Sequence, residues 1–161
     1  MLRTAVYPSF PTDLQAPFAV LMSQAHGVSK IFETLFEGRL NYLFELEKMG
    51  AKVEILNPHQ AIVIGPTPLR GVPISSCDIR AGAAMVIAAL AAEGETEISN
   101  IKYIDRGYEK MEDKLLALGA HIERVDNPNR TKSGLGHADH SDRFSEHQLQ
   151  TGSSKFQGVD D

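Results

Sequence analysis

The chain has 161 residues, 42% of them hydrophobic and 23% charged, which is enough for one globular domain with its own core. A net charge of -5 argues against nucleic acid as the main partner, because phosphate binding needs a basic face, and leaves room for a small anion held by a few arginines. The apolar runs are too short to span a bilayer, the start MLRTAVYPSFP lacks the apolar core of a secretory signal, and a single cysteine, Cys77, excludes internal disulfides; a cytoplasmic chain with no membrane partner is expected.

A short leading strand is expected first. Thr12 and Gln15 then have capping-box spacing, Pro17 lies in the first turn, and Gly27 suits a left-handed stop, so a helix is predicted over about 13–26. VSKIFETL alternates as a strand with Ile31 on one face. A second helix runs from near Gly38 to Met49, with Leu43, Leu46 and Met49 on one stripe. After Gly50, Ala51, Val53 and Ile55 alternate against Lys52 and Glu54; NPHQ turns the chain and AIVIG returns it as a hairpin.

Cys77 reads as a small buried apolar residue. The helix from Ile79 to Ala92 is apolar on nearly every side, so it belongs inside the fold with strands outside it; it has no basic face for a membrane surface. IDRGYEKMEDKLLALGA places Asp105, Arg106 and Gly107 before an amphipathic helix on which Tyr108, Met111, Leu115 and Leu118 read as core. A Gly119–Ala120 stop and a short strand follow. Residues 126–161 are polar and glycine-rich without period and predict a disordered tail, in which His137, His140 and His147 are solvated rather than metal-bound.

An internal repeat organises these elements. TDLQAPFAVLMSQAHG parallels CDIRAGAAMVIAALAAEG, and FEGRLNYLFELEKMGAKVEI parallels IDRGYEKMEDKLLALGAHIE. Matching residues shift by 65 from Asp13 to Asp78, by 67 from Arg39 to Arg106, and by 69 from Gly50 to Gly119, as small loop insertions require. The expectation is an α/β domain over 1–125 made of two βαβαββ repeats, about 3–65 and about 66–125.

The repeat also pairs the chemically able residues. Asp13 and Asp78 each open a helix, where a carboxylate accepts the free backbone N–H groups or, with one side on a cleft, takes a proton from a hydroxyl. Arg39 and Arg106 each stand at the start of a second helix, where a cation opposes the macrodipole. A bound anion would repay that placement; a salt bridge of Arg106 to Asp105 or Glu109 would do the same without a ligand. Gly38 and Gly107 beside them serve turns first.

YPSFPTDLQAPF, FETLFEGRLNYLFELEKMGAKVEI and DIRAGAAMVIAALAAEGETEISNIKYIDRGYEKMEDKLLALGAHIERV together resemble the C-terminal part of the UDP-N-acetylglucosamine 1-carboxyvinyltransferases, over residues 3–125. The resemblance implies an enolpyruvyl transferase fold, an inside-out α/β domain of three βαβαββ units, of which this chain holds two. It implies transfer of enolpyruvyl from phosphoenolpyruvate to the 3-hydroxyl of UDP-N-acetylglucosamine in peptidoglycan synthesis, with no metal or organic cofactor. By position, Asp13 would be the base on the sugar 3-hydroxyl and Asp78 would take part in proton transfer. Leu35 would pack at the uridine end, Arg106 would bind phosphoenolpyruvate, and Arg39 would line the same cleft. The family's other domain, one repeat and the loop with its protonating cysteine have no counterpart here, and Cys77 sits elsewhere. Little turnover is therefore expected of the chain alone. A non-catalytic or complementing half that docks on a separately encoded N-terminal part is one alternative. The shikimate-pathway enolpyruvyl transferase is another, against which PTDLQA and DRGYEKMEDKLLALGA argue.

Overall fold

The computed structural model describes residues 1–125. The tail predicted over 126–161, with His137, His140 and His147, lies outside the described residues. β1 (Leu2–Arg3) pairs in parallel with β2 (Gly27–Phe32), and between them a 3-10 turn over Thr12–Leu14 runs into α1 (Gln15–Gln24). Then come α2 (Tyr42–Lys48) and the hairpin of β3 (Lys52–Asn57) and β4 (Gln60–Gly65), giving a four-stranded sheet in the order β1-β2-β4-β3. Strand alternation sets its two faces. Ile31, Ala61 and Ile55 form one cross-strand row on the core side, whereas Lys30, Ile62 and Glu54 form a row on the other side.

Three local expectations change. The Thr12 and Gln15 side chains form no capping box, because both donate to Glu33. α1 ends at Gln24 with Ala25 extended, so Gly27, at φ 116, opens β2 instead of closing the helix. α2 begins after Gly38, since residues 37–41 wind as turns. Its end follows expectation: Gly50 at φ 100 lets the Ala51 N–H donate to the Leu46 carbonyl, 3.1 Å, and satisfies the last turn.

In the second repeat β5 (Ile74–Ser75) pairs in parallel with β6 (Ile98–Ser99), and α3 (Ile79–Ala91) crosses between them. α4 (Lys102–Gly107) and α5 (Met111–Ala117) follow. The single helix predicted through Tyr108 is thus broken, with Tyr108 extended and Lys110 left-handed at φ 45. The strand predicted after Gly119 does not form among the described residues. A strand needs a neighbour for its N–H and C=O groups, and no counterpart of β4 is described here. The described residues therefore form one βαβαββ repeat and the βαβα part of a second. Among the described residues no hairpin covers α5, and it buries no residue; Tyr108 and Leu118, expected in the core, are exposed, and Met111 and Leu115 are half-buried.

Helix α3 packs against α1, α2 and α4, as an apolar helix must. Gly82 allows the close approach: a Cβ there would meet the Ser76 hydroxyl and Ile104. The outer residues Ile87 and Leu90 are nevertheless exposed, as are Leu14, Phe18 and Leu21 at helical spacing through the turn and α1. Hydrogen bonds join the repeats: the Arg70 N–H donates to the Met49 carbonyl, 2.8 Å, the Thr67 N–H to the Ser23 carbonyl, 2.8 Å, and the Ser75 N–H to Oε2 of the buried Glu45 side chain, 3.0 Å. Met1–Glu123 form one compact unit. Among the described residues no helix is long and apolar enough to cross a membrane.

Candidate active site

The repeat-related aspartates take different roles. Asp78 is the N-cap of α3, with extended backbone, and its Oδ1 accepts the Arg80 and Ala81 N–H groups, both at 2.8 Å. Oδ2 has no hydrogen-bond partner among the described residues, so one side of the carboxylate stays available. Asp13 caps nothing. It sits inside the 3-10 turn with its side chain 61% exposed, and its Oδ1 faces two guanidinium groups. One is Arg39, 3.8 Å away; the other is Arg80, from the first turn of α3 in the second repeat.

Arg39 lies in the turn before α2. Its guanidinium stacks 4.3 Å above the Phe36 ring, which holds the long side chain near Asp13. Leu35, on the same loop, is 38% exposed, with its N–H donated to Glu33. Arg106 does not stand at a helix N-terminus. It lies in the last turn of α4, where a cation agrees with the macrodipole, so the unfavourable placement inferred from spacing does not apply. The arginine is exposed. Gly107, next to it, is pressed on Ile79: a Cβ there would overlap the Ile79 side chain. That contact brings the Arg106 backbone to the start of α3, beside Asp78 and Arg80.

The fold therefore gathers Asp13, Arg39 and Arg80 in one ionic cluster and brings Asp78 and Arg106 to the same end of α3. The Leu35 side chain has no place in that cluster. Sequence reading missed two members of the neighbourhood. Arg80 was legible: it is a cation in the first turn of a helix, the very signal applied to Arg106. Glu33 was not, because its importance rests on burial. That carboxylate is fully buried, and desolvation pushes its pKa up. Hydrogen bonds from the Thr12 hydroxyl and the Leu35 and Phe36 N–H groups, with Thr4 close by, outweigh this and hold it below the usual carboxylate range. Buried Tyr42 completes the network by donating to Gln15 Oε1, 3.0 Å, and burial, with the charges of Glu33 and Asp78, drives its own pKa far up.

Cys77 is exposed, not buried as expected, because the chain passes directly from β5 to the α3 cap there. Partial desolvation and the nearby Glu45 and Asp78 charges push its thiol pKa up, which disfavours the reactive thiolate. Among the described residues no three His, Cys, Asp or Glu side chains group as metal ligands.

Known proteins share this arrangement of elements. The family model described as EPSP synthase (3-phosphoshikimate 1-carboxyvinyltransferase) matches residues 1–115. The chain belongs to the EPSP synthase family. Curated relatives in sequence are UDP-N-acetylglucosamine 1-carboxyvinyltransferase 2 of Symbiobacterium thermophilum, 52% identical over 126 residues, and UDP-N-acetylglucosamine 1-carboxyvinyltransferase 3 of Caldanaerobacter subterraneus subsp. tengcongensis, 55% identical over 124. These matches take in 78% and 77% of this chain, which spans only 30% of the length of either relative. Among solved structures, the enolpyruvyl transferase NikO from Streptomyces tendae aligns with a TM-score of 0.72 and 31% identity, over 78% of this chain and 29% of that one. EPSP synthase from Acinetobacter baumannii aligns at 0.55 and 18% identity, over 71% and 27%, a likeness of fold alone. This member of the EPSP synthase family is thus a mixed α/β chain resembling part of a UDP-N-acetylglucosamine 1-carboxyvinyltransferase, and the shikimate-pathway reading is the less favoured one.

Proposed function

We propose that the chain contributes one wall of a site that transfers enolpyruvyl from phosphoenolpyruvate to the 3-hydroxyl of UDP-N-acetylglucosamine, for peptidoglycan synthesis in the cytoplasm. The observation that carries this reading is the exposed Asp13 carboxylate between Arg39 and Arg80, on a chain about half identical to transferases of that name. In this reading Asp13 accepts the 3-hydroxyl proton as the sugar oxygen bonds to C2 of the enol and C3 takes a proton from an acid that the described residues do not supply; loss of a proton from C3 then re-forms the double bond as phosphate leaves. Arg80, Arg106 and Arg39 hold the carboxylate and phosphate of phosphoenolpyruvate, and an anion arriving at Arg39 and Arg80 loosens their grip on Asp13. Asp78, with Oδ2 available, is the second carboxylate for proton movement. Leu35 borders the uridine.

Calorimetric titration of the chain with UDP-N-acetylglucosamine tests the binding half of this proposal. Uptake that Asp13→Asn weakens supports it; no uptake defeats it. Phosphate release on adding both substrates is expected to be absent or slight, because only one wall is supplied. A second reading, a complementing half that docks on a separately encoded N-terminal part, is favoured by exposed Leu14, Phe18, Leu21, Ile87 and Leu90. Phosphate release that appears only when such a part is added would select it.

A further inference from the structure

We infer that Glu33 is the positioning residue that sets Asp13 against the Leu35–Arg39 loop, an inference that rests on the functional reading above. The two carboxylate oxygens divide the work. Oε1 accepts the N–H groups of Leu35, 2.8 Å, and Phe36, 3.3 Å, and so holds the loop. Oε2 accepts the Thr12 hydroxyl and Gln15 Nε2, both at 2.7 Å, and so holds the turn on which Asp13 stands. Gln15 is itself aimed by Tyr42, whose hydroxyl occupies its Oε1.

Four donors leave this carboxylate little capacity for a ligand, and it is fully buried. Its effect on substrate is indirect. Thr12 and Gln15 flank Asp13 in sequence, while Phe36, whose amide Glu33 holds, carries the ring under Arg39. The 3.8 Å separation of Arg39 and Asp13 is thus fixed from behind by one buried group. The second repeat isolates this role. By strand register the counterpart of Glu33 is Asn100, whose amide reaches only Ser75 Oγ, 2.8 Å, and there the aspartate caps its own helix instead.

The chemistry dictates the test. Glutamine offers one acceptor oxygen, so it can serve only one limb and turns an N–H group on the other's donors. Aspartate, one methylene shorter, still reaches the amides two and three residues ahead but not Thr12 and Gln15. The full chain is prepared unaltered, as Glu33→Gln and as Glu33→Asp. Each form is titrated with UDP-N-acetylglucosamine, and the Arg39 Nε–H resonance, shifted by the Phe36 ring, is recorded by NMR. In Glu33→Asp, the milder change, the dispersed amide spectrum is expected to persist while the Arg39 signal moves toward its random-coil position and affinity falls about tenfold or more. Glu33→Gln should do at least as much.

Affinity within about twofold of the unaltered chain in both variants overturns the inference. An Arg39 signal that stays put in a folded Glu33→Asp chain overturns it as well. Should the unaltered chain bind no UDP-N-acetylglucosamine, the functional reading fails, and the Arg39 signal alone decides the positioning role.

Discussion

The two repeats share a plan and end identically at their second helices, yet among the described residues only the first is closed. Gly50–Ala51 and Gly119–Ala120 make the same cap, with Ala51 N–H bonded to the Leu46 carbonyl and Ala120 N–H to that of Leu115, at 3.1 and 3.0 Å. In the first repeat that cap feeds a hairpin that covers α2; in the second it ends the secondary structure among the described residues. The start of the helices differs too. Ala5–Pro11 has no counterpart in the second repeat, so Asp78 passes straight from strand to cap, while Asp13 rides on an extra turn and is freed from capping. A duplicated scaffold can thus keep its core and give the same residue type a structural role in one copy and an exposed, ion-paired one in the other.

The comparison predicts unequal mutational costs. Leu46 is fully buried beneath the hairpin, and Leu46→Ala should cost about 3 kcal/mol in denaturant unfolding, whereas the equivalent Leu115→Ala should cost less than about 1. Equal costs would mean that α5 is covered after all. Asp78→Ala, which removes the α3 cap, is expected to lower stability by about 1 kcal/mol. Asp13→Ala should change it by no more than about 0.5, because an exposed ion pair is worth little. Its effect belongs to ligand uptake.

Acid provides a finer contrast. Glu33 titrates below its ordinary value of 4.5 in the folded chain, so its carboxylate stabilises the fold at neutral pH, and that contribution is lost as pH falls from about 4.5 through the lower folded value. The stability difference between the unaltered chain and Glu33→Gln should therefore shrink as unfolding is followed from pH 6 toward pH 3. The smallest effect expected is Arg80→Ala, within about 0.5 kcal/mol of the unaltered chain in stability. That variant should still weaken binding of phosphoenolpyruvate.

The repeat, its first hairpin and the inward apolar helix were legible because periodicity and punctuation by glycine report local geometry directly. Asp13, Arg39, Asp78 and Arg106 were visible as repeat pairs of charged residues at element ends. What escaped was decided by partners distant in sequence. The Thr12 to Gln15 spacing fits a cap equally well, and only the arrival of Glu33 from β2 diverts both side chains. The α5 stripe has core-like spacing, and its exposure follows from the lack of a covering strand among the described residues, not from its own residues. Arg80 could have been found by the helix-dipole argument, but its pairing with Asp13 needed the second repeat docked on the first.

That docking has a consequence in time. The Ser75 N–H is tied to Glu45 on α2, so the strand that opens the second repeat acquires its anchor only after the first repeat has built its second helix. The first repeat closes its own sheet through Leu2 to Ile31 pairing and needs no such help. Folding is thus expected to run in order along the chain, the first copy acting as the template on which the second is laid, and pulse-labelled amide exchange should show α2 protected before β5.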